Sequence, residues 1–157
     1  MASAIAMDKV SAKAIFRDAG LAVSQDEVIS SSQWRDSRAN CIERAAKLMK
    51  PDVFVKPARS GSSVGVSLVS SSDDLAAAIE LALTHDEVAM VEKRVVGREL
   101  ECSVLETASG QLKVSVAGEI VVTGRPFYDY EAKYLGAGAD LIIPAPLTQK
   151  EAKQLQQ

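Results

Sequence analysis

The feature that most constrains the fold is residues 53–69, VFVKPARSGSSVGVSLV. Two short β-type runs, residues 53–55 and 64–69, enclose a loop of mostly small and hydroxylated residues, with Lys56 at the end of the first run. Such a loop has little side-chain bulk to keep a ligand from its backbone, so its N–H groups and hydroxyls can converge on anionic oxygens. The residues predict either a lid over a polyphosphate or a β-hairpin with a long polar turn.

The order of residues in this stretch excludes a Walker A phosphate loop. That motif needs Gly-Lys-Ser/Thr leading into a helix. Here Lys56 precedes the glycines, and a strand is predicted to follow them.

Composition and charge bound the class of protein. The 18 basic and 21 acidic residues are interspersed and give a net charge of −3. This balance indicates neither nucleic-acid nor membrane binding, so any anion site must be local. Cys41 and Cys102 stand singly, which favours buried free thiols in a reducing compartment, and His85 is expected to be a surface residue. With no apolar run of membrane-spanning length and no signal-peptide layout, we expect a cytoplasmic protein.

Periodicity predicts an α+β fold. Helices are predicted at residues 7–19, at 34–49 and after a cap at Ser72, with Leu75, Ile79 and Ala82 facing inward. A turn is predicted at residues 30–32 and an irregular polar-aromatic loop at 128–134. Strands are predicted at residues 21–29, 53–55, 64–69, 88–91, 100–105, 112–116, 119–122 and 141–143. Thr148 and Glu151 form a capping-box pattern that starts a helix close to Gln157, so we expect the chain to be a piece of a longer protein.

Six blocks carry a resemblance that covers essentially the whole chain. In this order and spacing they resemble the D-alanine–D-alanine ligase family of the ATP-grasp superfamily. The resemblance implies an ATP-grasp nucleotide-binding fold with a mixed or antiparallel sheet and helices on one face. Residues 1–105 would form the central subdomain, with the ATP lid and adenine hinge, and residues 106–157 the truncated start of the C-terminal domain. The blocks are MDKV (7–10), FVKPARSGSSVGVS (54–67), VEKRVVGRELECSVL (91–105), GEIV (118–121), FYDYEAKY (127–134) and IIPAPL (142–147).

The resemblance implies an activity for the parent protein. It is ATP-dependent ligation of two D-alanines through an acylphosphate, which supplies the peptidoglycan precursor. The family uses Mg²⁺ (or Mn²⁺) and is usually a homodimer. Its metal ligands and its oxyanion-stabilising arginine would follow Gln157, and its first-substrate glutamate would precede Met1. No metal ligand is therefore expected among these residues, and the chain alone is expected not to ligate D-alanine.

The resemblance also assigns residues to ATP. Lysines matching Lys9 and Lys56 contact the phosphates, and the hairpin at Ser62 and Ser63 folds over them. The remaining assignments are Glu92 beside the adenine, the strand edge of Lys93, Arg94 and Val95 pairing with the base, and Glu99 accepting from the ribose hydroxyls. Without the resemblance, Lys9 would be a solvated surface charge, and Glu92 and Glu99 ordinary surface acids.

Residues 127–134 resemble the mobile loop that closes the family's active site. Lys133 would then reach the γ-phosphate, Tyr134 would meet Ser62, and Tyr128 would face the reaction chamber. The alternative is a surface loop with packed tyrosines. Relatives that make D-alanyl-D-lactate carry a different loop, so the tyrosines favour D-alanine as second substrate. Two other functions stay open, namely a stand-alone ATP-binding module without ligase activity and another ATP-grasp carboxylate–amine ligase.

Overall fold

The structure is a computed structural model that describes residues 1–135 and 138–156. It contains two compact units, Met1–Val95 and Val96–Gln157. The domain boundary predicted after residue 105 stays a prediction. Each unit is described below by itself.

The first unit contains four helices and four strands in the described chain, and the second contains two helices and five strands. A single turn of 3₁₀ helix, Ser72–Asp74, precedes α4. The helices are α1 Ala2–Met7, α2 Lys9–Asp18, α3 Ser31–Ala46, α4 Leu75–His85, α5 Tyr130–Tyr134 and α6 Gln149–Leu155. The strands are β1 Asp26–Ser30, β2 Val53–Pro57, β3 Ser67–Val69, β4 Val88–Lys93, β5 Glu99–Glu101, β6 Val104–Glu106, β7 Leu112–Val114, β8 Gly118–Val122 and β9 Ala139–Ile142.

The first unit is built on a four-stranded sheet in the order β1-β4-β2-β3, with each pair antiparallel. Strand β2 alternates, because Val53, Val55 and Pro57 are buried while Phe54 and Lys56 are only partly covered. The buried side chains pack with residues of α3 and α4 in one core. Helices therefore cover one face of the sheet, and the alternating strand presents polar groups on the other. This confirms the predicted α+β class.

Side-chain caps explain where α2 and α3 begin. The Asp8 side chain accepts from the Ser11 N–H at 3.0 Å and starts α2. The predicted turn at residues 30–32 is wrong, because Ser30 forms a capping box with Gln33 and α3 begins at the next residue. The predicted cap at Ser72 is wrong by one position, since Ser71 caps the 3₁₀ turn.

The second unit contains a three-stranded antiparallel sheet, β5-β8-β9, and a separate hairpin of β6 and β7. The strand predicted at residues 100–105 is wrong, because Cys102 lies between β5 and β6, which belong to different sheets. Val104 is 61% exposed, so the alternation in this segment does not mark a buried face. The predicted capping box is confirmed at the start of α6, where Thr148 and Glu151 bond reciprocally.

Two general predictions concern the cysteines and the membrane. Cys41 is buried and Cys102 half-buried, and both are free thiols, so full burial is confirmed for Cys41 alone. Within residues 1–135 and 138–156, none of the helices is both long and apolar enough to cross a membrane.

Candidate functional site

The face of the first sheet opposite the core carries charged side chains in register. Asp26 on β1 and Phe54 on β2 both lie opposite Glu92 on β4. Lys56 lies two residues beyond Phe54, opposite Met90. Because side chains alternate along a strand, these residues share one face.

Glu92 is the carboxylate at the centre of this face. Its Oε1 accepts from Lys13 Nζ at 2.5 Å, and its Oε2 accepts from Lys56 Nζ. Burial raises the pKa of Glu92, but the charge of Lys56 and the hydrogen bonds from Lys13, Lys56 and Ser24 outweigh burial and bring the pKa down to about 2. Glu92 is therefore ionised at neutral pH and bound to two lysines at once.

Lys13 is the buried partner of Glu92, with 8% of the residue exposed. It projects from α2, where its Nζ also lies 2.9 Å from Asp26 Oδ1 and donates to the Ser24 carbonyl at 2.8 Å. The sequence analysis did not single out this lysine. Its four-residue spacing from Lys9 places both on one side of α2, and that was the available signal.

Residues 58–66, between β2 and β3, form the serine loop, and Lys9 is bound to its base. Its Nζ donates to the carbonyl oxygens of Pro57 at 3.0 Å, Ala58 at 3.3 Å and Ser60 at 2.6 Å. Burial and then the charge of Lys56 lower the pKa of Lys9. Because these three acceptors are neutral carbonyls, the positive charge of Lys9 is solvated by the backbone but not cancelled. Lys9 is therefore not the solvated surface charge that the residue alone suggested.

The serine loop is fastened at its first end by Asp86. The Arg59 N–H donates to Asp86 Oδ2 at 2.8 Å, and the Arg59 guanidinium pairs with the same carboxylate. The Ala58 N–H donates to the Val88 carbonyl at 2.9 Å. Sequence analysis missed Asp86, because nothing in the local pattern links the turn after α4 to Arg59.

The other end of the loop is fixed by close packing at Gly65. Its φ is +69°, and a Cβ there would lie 2.5 Å from His85 Cδ2 and 2.9 Å from Pro57 Cγ. His85 is exposed, as predicted, but its ring also packs against the loop. Between the two fixed ends, Ser62 and Ser63 have φ of 53° and 58°. Residues other than glycine seldom adopt this left-handed region, and such backbone is concentrated at functional sites.

The segment predicted to pair with a base begins in β4. The N–H groups of Lys93 and Arg94 donate to the carbonyls of Gln25 and Asp52, each at 2.9 Å. The Arg94 guanidinium also pairs with Asp52 at 2.8 Å. Val95, the next residue, is 75% exposed. Two of the three backbone donors in this segment are therefore already used inside the protein.

The remaining predicted residues lie in the second unit. Glu99 is an exposed residue of β5. The polar-aromatic loop is not irregular throughout, because Tyr130–Tyr134 forms the short helix α5, capped by Asp129. Lys133 lies on this helix with Nζ 5.2 Å from the ring centroid of Tyr128.

Three further contacts order this short helix. The rings of Tyr130 and Tyr134 are 4.9 Å apart. Arg125 binds Asp129 at 2.8 Å and Glu131 at 2.6 Å, so a single guanidinium holds both acids at the start of α5. The contact between Tyr134 and Ser62 stays a prediction.

In the part of the chain that the structure describes, residues 1–135 and 138–156, no three His, Cys, Asp or Glu side chains come together as a metal ion would require. What the first unit does offer is lysine ammonium groups beside a loop of hydroxyl and backbone donors. This chemistry suits a ligand with several anionic oxygens.

Comparisons with known proteins agree with this chemistry. Residues 15–157 match the family model described as D-ala D-ala ligase C-terminus. A D-alanine--D-alanine ligase of Mycolicibacterium gilvum is 46% identical over 99% of this chain and 42% of that protein. D-alanine--D-alanine ligase B of Bradyrhizobium diazoefficiens is 46% identical over 99% of this chain and 41% of that protein. The chain thus spans less than half the length of these curated relatives.

Solved structures show the same similarity. The VanG D-Ala:D-Ser ligase from Enterococcus faecalis has a TM-score of 0.82 and 30% identity, covering 98% of this chain and 43% of that one. D-alanyl-alanine synthetase A from Vibrio cholerae has a TM-score of 0.81 and 31% identity, covering 99% and 46%.

Proposed function

Because the chain belongs to the D-alanine–D-alanine ligase family, whose model matches residues 15–157, we propose that it supplies the ATP-binding part of an enzyme that joins two D-alanines. Its fold is that of the ATP-grasp ligases it resembles. The observation that carries the proposal is the meeting of Lys9, Lys56 and the serine loop in the first unit. Within the family this reaction provides the D-alanyl-D-alanine of the peptidoglycan precursor.

The residues of the first unit fit the phosphates of ATP. Lys9 brings a positive charge, and its three hydrogen bonds go to neutral backbone carbonyls. Lys56 brings a second charge, presently paired with Glu92. Phosphoryl transfer depends mainly on positioning and on neutralising charge, which lysines provide without covalent chemistry. Ser62 and Ser63 add hydroxyl and backbone donors in a loop that folds over the phosphates.

The nucleoside contacts are proposed from the segment that follows β4. Because the N–H groups of Lys93 and Arg94 are bonded within the protein, the base would receive its backbone donor from Val95. Lys93 would contribute its carbonyl acceptor, and Glu92 would border the base. The Glu99 carboxylate would accept hydrogen bonds from the ribose hydroxyls.

In the proposed reaction, the carboxylate oxygen of the first D-alanine forms a bond to the γ-phosphorus as the bond to the ADP oxygen breaks. The amine of the second D-alanine then forms the peptide bond, and phosphate and the amine proton leave. Lys133 is proposed to meet the charge on the transferring phosphoryl group, with Tyr128 and Tyr134 on the same closing segment. When bound, Mg²⁺ (or Mn²⁺) would supply further charge neutralisation.

A second acceptor is a specific alternative, because one structural neighbour is a D-Ala:D-Ser ligase. D-Alanine is favoured, since curated D-alanine--D-alanine ligases reach 46% identity and that neighbour 30%. The test is ligation by a full-length ligase of the family carrying these residues, with D-alanine and D-serine as competing acceptors. A preference for D-serine would show that D-serine, and not D-alanine, is the second substrate.

Nucleotide binding is tested with Lys56→Ala. We expect ATP affinity to fall about tenfold or more, the effect of one lost charged contact, while adenosine affinity changes little. Lys47→Ala is the matched control, because Lys47 is an exposed lysine of the same unit that pairs with Glu43 on its own helix. Calorimetric titration of the chain with ATP and with adenosine gives both affinities. Equal losses for the two ligands would mean that Lys56 supports the fold and not the phosphates.

The closing segment is tested with Lys133→Ala in the full-length ligase. We expect kcat to fall on the order of a hundred- to a thousand-fold, as when one transition-state donor is removed, with ATP affinity nearly unchanged in the absence of D-alanine. Tyr134→Phe should raise the activation free energy of ligation by about 0.5–1.5 kcal/mol. In the double variant, the losses from Lys133→Ala and Tyr134→Phe should be less than additive. Lys113→Ala, on exposed β7, is the control. An unchanged kcat with a lower melting temperature would show that the segment only packs.

A further inference from the structure

We propose that Lys13 is a positioning residue for ATP. Lys13 keeps the Glu92 carboxylate paired with a positive charge when Lys56 moves from Glu92 to the nucleotide phosphates. The inference rests on the proposed function and adds to it a residue that does not itself touch the nucleotide. It follows from how the two oxygens of Glu92 are shared.

Each oxygen of Glu92 is bound to a different lysine. Oε1 accepts from Lys13 and Oε2 from Lys56. The carboxylate is mostly buried, with 18% of its side chain exposed. If Lys56 left and no other cation remained, a poorly solvated negative charge would be stranded, which strongly disfavours the departure of Lys56.

The two lysines are held very differently. Lys13 is fixed by the Ser24 carbonyl at 2.8 Å, the Ser24 hydroxyl at 3.1 Å and Asp26 at 2.9 Å, in addition to Glu92. For Lys56, the contacts given by the structure are Glu92 and the face of Phe54, whose centroid is 5.6 Å away. Lys56 is therefore the lysine that can change partner, and Lys13 the one that stays.

This division predicts how ATP competes for Lys56. In the free protein the phosphates must draw Lys56 from Glu92, and the cost of this exchange depends on what remains beside Glu92. With Lys13 in place, Glu92 keeps a charged hydrogen bond. Without Lys13, Lys56 is the remaining lysine bound to Glu92. Moving Lys56 from Glu92 to the phosphates then costs more free energy, so ATP binds less tightly. Adenosine has no phosphates and requires no exchange.

The test is calorimetric titration of the chain with ATP and with adenosine, compared as the ratio of the two dissociation constants. For Lys13→Met we expect the ratio to shift against ATP by about tenfold, a typical coupling between neighbouring charges. Lys13→Arg should restore most of the ratio, since it keeps the charge. Glu92→Gln should shift the ratio toward ATP, because Lys56 is then free of a carboxylate.

The double variant Lys13→Met/Glu92→Gln decides whether Lys13 acts through Glu92. We expect it to regain the ATP preference lost in Lys13→Met, since no charged carboxylate at Glu92 then holds Lys56. A ratio that stays as poor as in the single variant would mean that Lys13 acts on the phosphates directly, and would overturn the proposal.

Arg17→Met is the matched control. Arg17 lies one turn further along α2 and also binds Asp26 at 2.9 Å, and its pairing is with Asp26 and not with Glu92. We expect Arg17→Met to leave the ratio unchanged. An equal shift in both variants would show a general loss of positive charge and would overturn the role of Lys13.

Further measurements distinguish a role of Lys13 in ATP binding from an effect on folding and from a failure of the proposed function. Thermal melts are run for each variant, and Lys13→Gln, which keeps a hydrogen-bond donor, replaces Lys13→Met if that variant does not fold. A wild-type chain that binds ATP no better than adenosine would refute the proposed function. A wild-type chain that prefers ATP, with the preference unaltered by Lys13→Met or Lys13→Gln, would refute this inference alone.

Discussion

Replacing Glu92 by Gln should destabilise the first unit in a pH-dependent way. Gln has nearly the shape of Glu but no charge, so Lys13 and Lys56 both lose their shared carboxylate. Because Lys13 keeps Asp26 and Ser24 as partners, we expect the fold to survive. The loss should therefore be measurable as a change in the free energy of unfolding.

The pKa of Glu92 sets the expected magnitude. The pKa is about 2 in the folded protein against 4.5 ordinarily. A depressed folded pKa stabilises the protein above the ordinary value, and this stability is lost as pH falls toward the folded pKa. This lowering of the pKa is worth about 3 kcal/mol of stability at pH 7, and linkage leaves about 1 kcal/mol of it at pH 3. Glu92→Gln should differ from wild type by these amounts at each pH.

Urea unfolding followed by tryptophan fluorescence measures the difference. Trp34 is the single tryptophan of the sequence and is 8% exposed in the core of the first unit, so its emission reports that unit. Glu43→Gln is the control, since Glu43 is exposed and pairs with Lys47, an interaction worth about 0–1 kcal/mol. A Glu92→Gln loss of the same size at pH 7 and pH 3 would refute the charge argument and point to packing alone.

Two further predictions concern the serine loop. Gly65→Ala should lower the free energy of unfolding by about 1–3 kcal/mol, because position 65 needs a positive φ and the added Cβ would meet His85. Thermal melts should show no such loss for Gly61→Ala, where a Cβ meets nothing within 4 Å. Asp86→Asn should speed tryptic cleavage after Arg59 severalfold, since the loop loses its charged anchor; an unchanged rate would show that Asp86 does not hold the loop.

The secondary structure could be predicted where the burial pattern is local. Val53 and Val55 alternate with partly covered residues, and residues 88–91 form a short apolar run, so β2 and β4 follow from the sequence. Strand β3 is shorter than predicted and begins at Ser67. The residues before it belong to the loop, where the Val66 N–H donates to the Ser63 carbonyl at 3.3 Å.

Elements that depend on distant partners could not be predicted in this way. Residues 100–105 alternate like one strand, but nothing in the alternation shows that the chain leaves one sheet at Cys102 and enters another. Strand β1 begins later than the sequence predicts, because only its pairing with β4 sets its start at Asp26. Helix α5 could not be predicted, because five residues are too few to show a helical pattern of apolar positions.

The candidate site follows the same division. Lys56 and its loop are visible in the sequence because they are adjacent, while the resemblance was needed to single out Lys9, Glu92 and Lys133. Lys13 was found by neither route. Its contact with Glu92 spans 79 positions and appears only when β1, β4 and α2 are assembled.

Assembled in this way, Glu92 connects stability with ligand binding. In the proposed site, the charge that two lysines stabilise at neutral pH is also the charge that would hold Lys56 away from a phosphate. Glu92→Gln should therefore lose stability and gain preference for ATP over adenosine, an exchange that is common where a binding site keeps a costly charge. Lys13 moderates this conflict, because it retains the pairing of Glu92 when Lys56 departs. A carboxylate left without any cation would make the exchange too costly. An uncharged side chain at position 92 would take this carboxylate from Lys56 before the ligand arrives, whereas Lys13 would keep Asp26 as a partner.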